Sequence, residues 1–173
     1  MMVGTKSLLF GYHQFILHPL FVALAWWIIY GFPTSWKLWA CFFLHDIGYL
    51  GKPNMDGEEG KTHPDVSARV VSRLLDSSWA NLVRYHSRWC AKRDSRHISA
   101  LGVADKYAYY LYPPWLCLLL VKLSGEVREY VKLDEVESGI RHGPVEWNRD
   151  LRKKQRRWRY NFMLTDYYVN TRF

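Results

Sequence analysis

The sequence predicts an all-α fold, arranged as a compact helical bundle. Apolar residues recur at helical spacing along the segment from residue 36 to residue 47, where they form one stripe: Trp36, Trp39, Ala40, Phe43, Leu44 and Ile47. Pro and Gly stand at intervals that end such segments, as in Gly31-Phe32-Pro33. The alternation of apolar and polar residues that is typical of half-buried strands is absent from the sequence.

The first half of the chain predicts two helices and a loop. The segment from Pro19 to Tyr30 is apolar on all sides and predicts a buried helix. The striped segment that follows predicts an amphipathic helix, with Thr34 or Ser35 as N-cap and Gly48 as its stop. Residues 48–61 contain four glycines and a proline, so we expect a loop there.

Four more helices are expected in the rest of the chain. Thr62 with Asp65 three residues later resembles a capping box, and this helix should run to about Leu75. The next one carries four residues on a single face: Trp79, Leu82, Val83 and His86. A basic loop over residues 88–96 precedes the last two helices, which we expect over residues 98–112 and 115–132.

Composition limits the class of protein. A chain of 173 residues with 49% apolar and 23% charged residues is expected to fold around one core. The three cysteines show no C-x-x-C spacing, which argues against a zinc ribbon or a disulfide framework and favours a reducing compartment. The most apolar stretches are shorter than a bilayer requires, and the beginning of the sequence lacks the pattern of a secretion signal. We therefore expect a cytoplasmic protein.

Positive charge is concentrated near the end of the chain. Of a net charge of +8, residues 141–173 contribute nine Lys/Arg against three Asp/Glu. We expect residues 1–140 to form the catalytic domain and residues 141–173 a basic, aromatic extension that packs on it. A solvated helix face is the first interpretation of this extension; a lid over an anionic substrate and a contact with a membrane surface or nucleic acid are alternatives. Nucleic acid is not favoured, because such binders usually spread basic charge over the core domain.

Six potential metal ligands occur at helix ends or on apolar helix faces: His18, His45, Asp46, His63, His86 and Asp105. A carboxylate on the apolar face of a helix is costly unless it is paired or bound to a metal. Imidazole and carboxylate together suit Fe, Mn, Zn or Ni, whereas the lack of Cys ligands disfavours a structural zinc site. His13 is the alternative to His18 as the first ligand.

Six ligands are more than one open catalytic ion requires. Four of them (His18, His45, Asp46 and Asp105) could hold one ion, and His63 with His86 could hold a second if Asp46 bridges. We therefore predict two divalent ions, with Fe or Mn favoured and Zn, Ni, Co and Mg as alternatives. Such a pair can clamp a phosphoryl group.

In this ordered set of ligands the sequence resembles the HD-domain superfamily, over about residues 15–112. Leu44-His45-Asp46-Ile47-Gly48 and Lys61-Thr62-His63-Pro64 are similar to stretches of HD-GYP cyclic-dinucleotide phosphodiesterases. Arg84-Tyr85-His86-Ser87 and Val103-Ala104-Asp105-Lys106 resemble symmetrical dinucleoside-tetraphosphate hydrolases. The Gly-Tyr-Pro motif is missing after His86. The loop over residues 54–60 is acidic, which is unusual beside a polyphosphate; it could instead cap the site or contact an amine or hydroxyl group.

The resemblance implies a phosphohydrolase that cleaves a nucleotide or another small phosphorylated substrate with water activated by the metals. It assigns Asp46, His63 and His86 to catalysis. The basic residues nearest these motifs are expected to bind the substrate: Lys52, Lys61, Arg88 and Lys106. Two alternatives remain open. One is a mixed-valent diiron oxygenase of HD type that acts on a small hydroxylated or phosphonate substrate, and the other is a degenerate scaffold that binds nucleic acid or a partner through its basic tail.

Overall fold

A computed structural model of the chain describes residues 1–126, apart from the side chains of Pro114 and Leu118. Within this range the fold is all-α, as predicted, with eight α-helices, two short 3₁₀ turns and no strand. The helices are α1 (Val3–Phe10), α2 (Leu17–Tyr30), α3 (Trp36–Leu44), α4 (His63–Leu74), α5 (Ser77–Arg84), α6 (Arg88–Arg93), α7 (Ala100–Leu111) and α8 (Pro114–Ser124). The 3₁₀ turns are Ile47–Tyr49 and Gly60–Thr62.

The long predicted helices form close to their expected bounds. Helix α2 ends at Tyr30 because Gly31 takes a positive φ of 92°. Helix α3 ends at Leu44, earlier than predicted, and the chain then turns through the 3₁₀ turn Ile47–Tyr49. This early ending leaves His45 and Asp46 at a bend between two elements, where both side chains can face the same interior point.

Three local predictions are wrong. The expected basic loop over residues 88–96 contains helix α6, whose Cys90 and Ala91 are buried. The Thr62 side chain does not cap α4 but donates a hydrogen bond to the Glu59 carbonyl at 2.6 Å. His86 does not lie on the face of α5, because that helix ends at Arg84. Helix α1 was not predicted. Helices α1 and α6 are short, so they carry too few residues to produce a periodic pattern.

Some predictions concern residues that the structure does not describe. Helix α8 ends at Ser124, and Gly125 follows in the left-handed conformation with φ 83°. The rest of the helix expected to reach residue 132 lies outside the described residues. The boundary after residue 140 and the extension 141–173 lie outside them as well.

The core lies between α2 and α7 on one side and α4 and α5 on the other. Helices α2 and α7 meet through small residues, among them Ala25, Ala104 and Ala108, all fully buried. Small side chains let two helices approach closely. This contact brings His18, in the first turn of α2, to within 3.1 Å of Asp105 on α7.

Two glycines permit the close approaches that assemble the site. A Cβ atom at Gly48 would lie 2.0 Å from the His63 carbonyl oxygen, and one at Gly102 would lie 2.5 Å from that of His86. Both distances are far below a van der Waals contact, so any side chain would force the elements apart. The backbone amide of Gly48 also donates to Ser67 Oγ at 3.0 Å, which ties the turn to α4.

Among residues 1–126, no helix combines the length and the hydropathy that crossing a membrane requires.

Candidate metal centre

The six predicted ligands converge on one place in the interior. They come from five parts of the chain: the start of α2, the bend after α3, the start of α4, the second residue after α5, and the middle of α7. Five of the six residues are buried, and the Asp105 side chain keeps 19% of its surface exposed. Residues separated by up to 87 positions in sequence thus form a single cluster.

Asp46 lies at the centre of this cluster, with a pair of histidines at each carboxylate oxygen. Its Oδ2 atom is 3.5 Å from Nε2 of His18 and 3.3 Å from Nε2 of His45. Its Oδ1 atom is 3.4 Å from Nε2 of His63 and 3.5 Å from Nε2 of His86. The two groups that share Asp46 each offer three ligand atoms lying within 4.8 Å of one another. These buried groups could hold metal ions.

The second carboxylate extends only the first group. Asp105 Oδ1 is 3.1 Å from Nε2 of His18 and 3.8 Å from Nε2 of His45. Four of the six residues thus lie around one oxygen of Asp46, counting Asp46 itself, and three around the other.

Backbone hydrogen bonds orient three of the four imidazoles. The Nδ1 atoms of His45, His63 and His86 lie 2.8, 2.8 and 2.5 Å from the carbonyl oxygens of Phe42, Gly60 and Val83. A carbonyl oxygen only accepts, so each Nδ1 carries a hydrogen and each Nε2 is directed toward the cluster. Metal-binding histidines are commonly held this way.

The donor set fits a cation. Nε2 of His63 and Nε2 of His86 are 3.2 Å apart, and both face an oxygen of Asp46. Lone pairs and carboxylate oxygens repel one another in a buried site unless positive charge lies between them. Asp46 Oδ2 also lacks a hydrogen-bond partner among the described residues. Four imidazoles and two carboxylates without a thiolate suit Fe, Mn or another divalent transition ion.

The cluster's electrostatics keep most of its members in the form that binds metal. Burial lowers the pKa of His63 to about 4 and also lowers that of His18, so both are neutral at pH 7. Burial would raise the pKa of Asp46, but the neighbouring His45 holds it well below its usual range. Burial would lower the pKa of His45, yet the Asp46 carboxylate raises it to about 10. The two carboxylates thus favour positive charge at this point.

A cavity of about 300 Å³ adjoins one half of the cluster. Asp46, His63, His86 and Asp105 line it, whereas His18 and His45 are not among its lining residues. The group that contains His63 and His86 therefore faces the cavity, and the other histidine pair lies behind it.

Three of the four predicted substrate-binding residues line this cavity: Lys61, Arg88 and Lys106. The fourth, Lys52, does not. Its ammonium group donates to Thr62 Oγ1 at 2.7 Å, which fixes it outside the cavity. The acidic loop borders the site as well, since Asp56 lines the cavity and Met55 beneath it is buried.

Sequence reasoning missed several neighbours of the site. Tyr49 stacks on the His63 ring, with centroids 3.7 Å apart and planes inclined by 20°. Its place directly after the His45-Asp46 bend was a usable signal. His13, considered only as an alternative ligand, lines the cavity instead, with Nδ1 3.1 Å from Ser7 Oγ and 3.6 Å from Glu126 Oε2. Glu126 is fully buried although no pattern in the sequence indicates it.

Comparison of the chain with models of protein families, with curated proteins and with solved structures found no match in any of the three.

Proposed function

We propose that this chain is a metal-dependent phosphohydrolase of the HD-domain type that cleaves a nucleotide or another small phosphorylated substrate. The observation that carries the proposal is the position of Asp46. One of its oxygens faces His18 and His45, the other faces His63 and His86, and the second pair adjoins a cavity with basic residues in its wall. When bound, ions at these positions would polarise a phosphoryl group and supply a water activated for attack.

The chain's own residues have distinct parts in this proposal. Asp46 connects the two ligand groups, and His63 and His86 hold the side of the centre that faces the substrate. Lys61 and Arg88 line the same cavity and carry charge that suits phosphoryl oxygens. Fixed positive charge in a partly enclosed site stabilises the negative charge that accumulates during phosphoryl transfer.

A phosphoester screen tests the proposal. The full chain, loaded with Mn²⁺ or with Fe²⁺ under anaerobic conditions, is offered nucleoside monophosphates and triphosphates, dinucleoside polyphosphates and small phosphomonoesters. We expect release of inorganic phosphate or a nucleoside monophosphate from at least one class. Metal-loaded protein that turns over no phosphoester but consumes oxygen with a hydroxylated or phosphonate substrate would instead identify the diiron oxygenase.

A pair of lysines provides the matched control for the active substrate. Lys61→Gln removes a charge from the cavity wall, and we expect kcat/KM to fall by about tenfold or more because one charge-assisted contact is lost. Lys52→Gln removes a charge nine residues away that does not line the cavity, and we expect little change. Equal effects of the two variants would argue against substrate binding in this cavity.

The degenerate-scaffold alternative has its own test. Elemental analysis of the purified protein should find bound transition metal, because buried imidazoles and carboxylates in this arrangement suit a divalent cation. A chain that binds no Mn, Fe or Zn under any loading condition is not an HD-type hydrolase.

A further inference from the structure

Large exposed apolar side chains are concentrated at the beginning of the chain. Thirteen of the nineteen found in the described residues lie within the first 36: Met1, Met2, Leu9, Phe10, Phe15, Ile16, Leu20, Leu24, Trp27, Ile28, Tyr30, Phe32 and Trp36. Scattered exposed apolar residues are ordinary on a folded protein, whereas a concentration of them marks a contact surface.

Five of these residues form one stripe along α2 and its N-cap. Ile16, at the N-cap, is followed by Leu20, Leu24 and Ile28 at intervals of four, and Trp27 lies three residues after Leu24; each is between 40% and 64% exposed. The opposite face of α2 packs inward through His18 and small residues such as Ala23 and Ala25. This helix therefore buries small side chains on one face and leaves these large ones exposed on the other, along a length of roughly 21 Å. We call the five residues the α2 stripe.

We propose that the α2 stripe docks on an anionic membrane surface, with α2 lying in the plane of the interface. Helix α2 is too short to cross a bilayer, and its outer face combines aliphatic residues with Trp27. Tyr30 and Trp36 are exposed just beyond it, and both residue types are enriched at membrane interfaces.

Charge also favours an anionic bilayer as the occupant. Residues 1–45 contain Lys6 and Lys37 and no Asp or Glu, so this part of the chain carries a charge of +2. Nothing on α2 therefore repels anionic headgroups, and the two lysines are attracted to them. A second copy of the chain is a poorer occupant, because a stable protein interface uses about 20–30 residues on each side and the α2 stripe offers five.

Co-sedimentation of the full chain with lipid vesicles tests the proposal. We expect binding to vesicles of phosphatidylglycerol and phosphatidylcholine, with part of it retained in about 0.5 M salt, where electrostatic attraction is screened. Leu24→Glu with Ile28→Glu should weaken binding at least about tenfold, since burial of each such side chain is worth about a tenfold preference. Leu74→Glu, at a position 63% exposed on α4, is the matched control and should bind like the wild type.

Other outcomes overturn the proposal. One is that the wild-type chain does not bind the vesicles. Another is that high salt abolishes binding and the double variant binds as well as the wild type, because charge alone would then explain binding. A dimer in sedimentation velocity that the double variant dissociates would assign the stripe to a contact between copies. Circular dichroism checks folding, and Leu20→Gln with Trp27→Gln provides a second, milder pair that should give the same loss.

Discussion

At the scale of single residues, Asp46 stands out among the described residues because it contacts both histidine pairs. The other five candidate ligands each lie within or beside one pair, whereas Asp46 has an oxygen at both. Burial would be costly for an isolated aspartate, and the surrounding imidazoles, His45 above all, favour its ionised form. Losing it therefore affects both halves of the centre together.

Asp46→Ala is expected to abolish metal binding at both positions. The change removes the shared carboxylate and leaves at most two histidines and Asp105 on one side and two histidines on the other. Elemental analysis after loading and gel filtration measures the outcome. Asp56→Asn, which changes a carboxylate in the cavity wall outside the cluster, is the control and should retain its metal. Full metal content in Asp46→Ala would show that the centre is assigned wrongly.

Tyr49 is expected to act by holding His63 in place. The stacked rings fix one face of the imidazole while the Gly60 carbonyl fixes its Nδ1 edge. Tyr49→Leu removes the stacked ring, and we expect weaker binding of the cavity-side ion by roughly tenfold, as is usual when a partner of a ligand is lost. Tyr49→Phe keeps the ring and should bind like the wild type. Competition titration with a chelator distinguishes them, and identical affinities in all three proteins would contradict this role.

At the scale of elements, the site depends on backbones that approach one another at glycines. Gly48→Ala places a methyl group against the His63 carbonyl, so the 3₁₀ turn and α4 must separate. We expect a loss of about 1–3 kcal/mol in the free energy of unfolding, typical of overpacking, together with reduced metal affinity. Urea denaturation measures the first effect. Gly51→Asn is the control: no atom lies within 4 Å of the added carbon, so only the strain of its φ of 79° should lower stability, and metal affinity should be unchanged.

An ion pair between α4 and α6 should make stability sensitive to acid. Arg93 forms a bidentate pair with Asp65, at 2.8 and 2.9 Å, and holds the pKa of that carboxyl below its usual range. A depressed carboxyl pKa stabilises the folded state at neutral pH, and this contribution is lost as pH falls below about 4. The pair is partly exposed, so we expect it to contribute less than about 1 kcal/mol to the free energy of unfolding. In Arg93→Gln, the free energy of unfolding should change less with pH in this range than in the wild type. The same pH dependence in both proteins would contradict a stabilising role of the pair.

The sequence predicted those elements whose residues repeat a pattern. Helices α2, α4 and α7 run for three or more turns, and their apolar positions recur often enough to be recognised. Helix α6 has six residues and α1 has eight, so their burial depends on neighbours rather than on their own periodicity.

The site was predictable to the extent that its residue types are unusual in their setting. Imidazoles and carboxylates at helix ends and on apolar faces indicated all six residues of the buried cluster, because ordinary cores avoid such residues. Lys52 does not line the cavity although it is close to Lys61 in sequence, because such proximity says nothing about the direction of a side chain within a loop. Glu126 is buried against Tyr12, 114 residues away, and only the packing of α1 with α8 reveals that contact.

At the scale of the whole molecule, bound metal should contribute to stability. The ligands come from five separated segments, so the site exists only when α2, α3, α4, α5 and α7 are assembled. Free metal at about a hundredfold above its Kd would add about 2.7 kcal/mol to the free energy of unfolding. Calorimetry should show a lower Tm after chelation, restored by Mn²⁺ or Fe²⁺. Asp46→Ala should show no such difference, whereas an unchanged Tm in the wild type would contradict linkage.

Four imidazoles and two carboxylates make a pocket that selects weakly among ions. Affinity for first-row divalent metals rises from Mn to Cu in nearly any such nitrogen and oxygen environment, and no thiolate here narrows the choice. Cellular supply would then decide which element occupies the centre. The same folded chain would then carry different ions when it is produced with an excess of iron and with an excess of manganese.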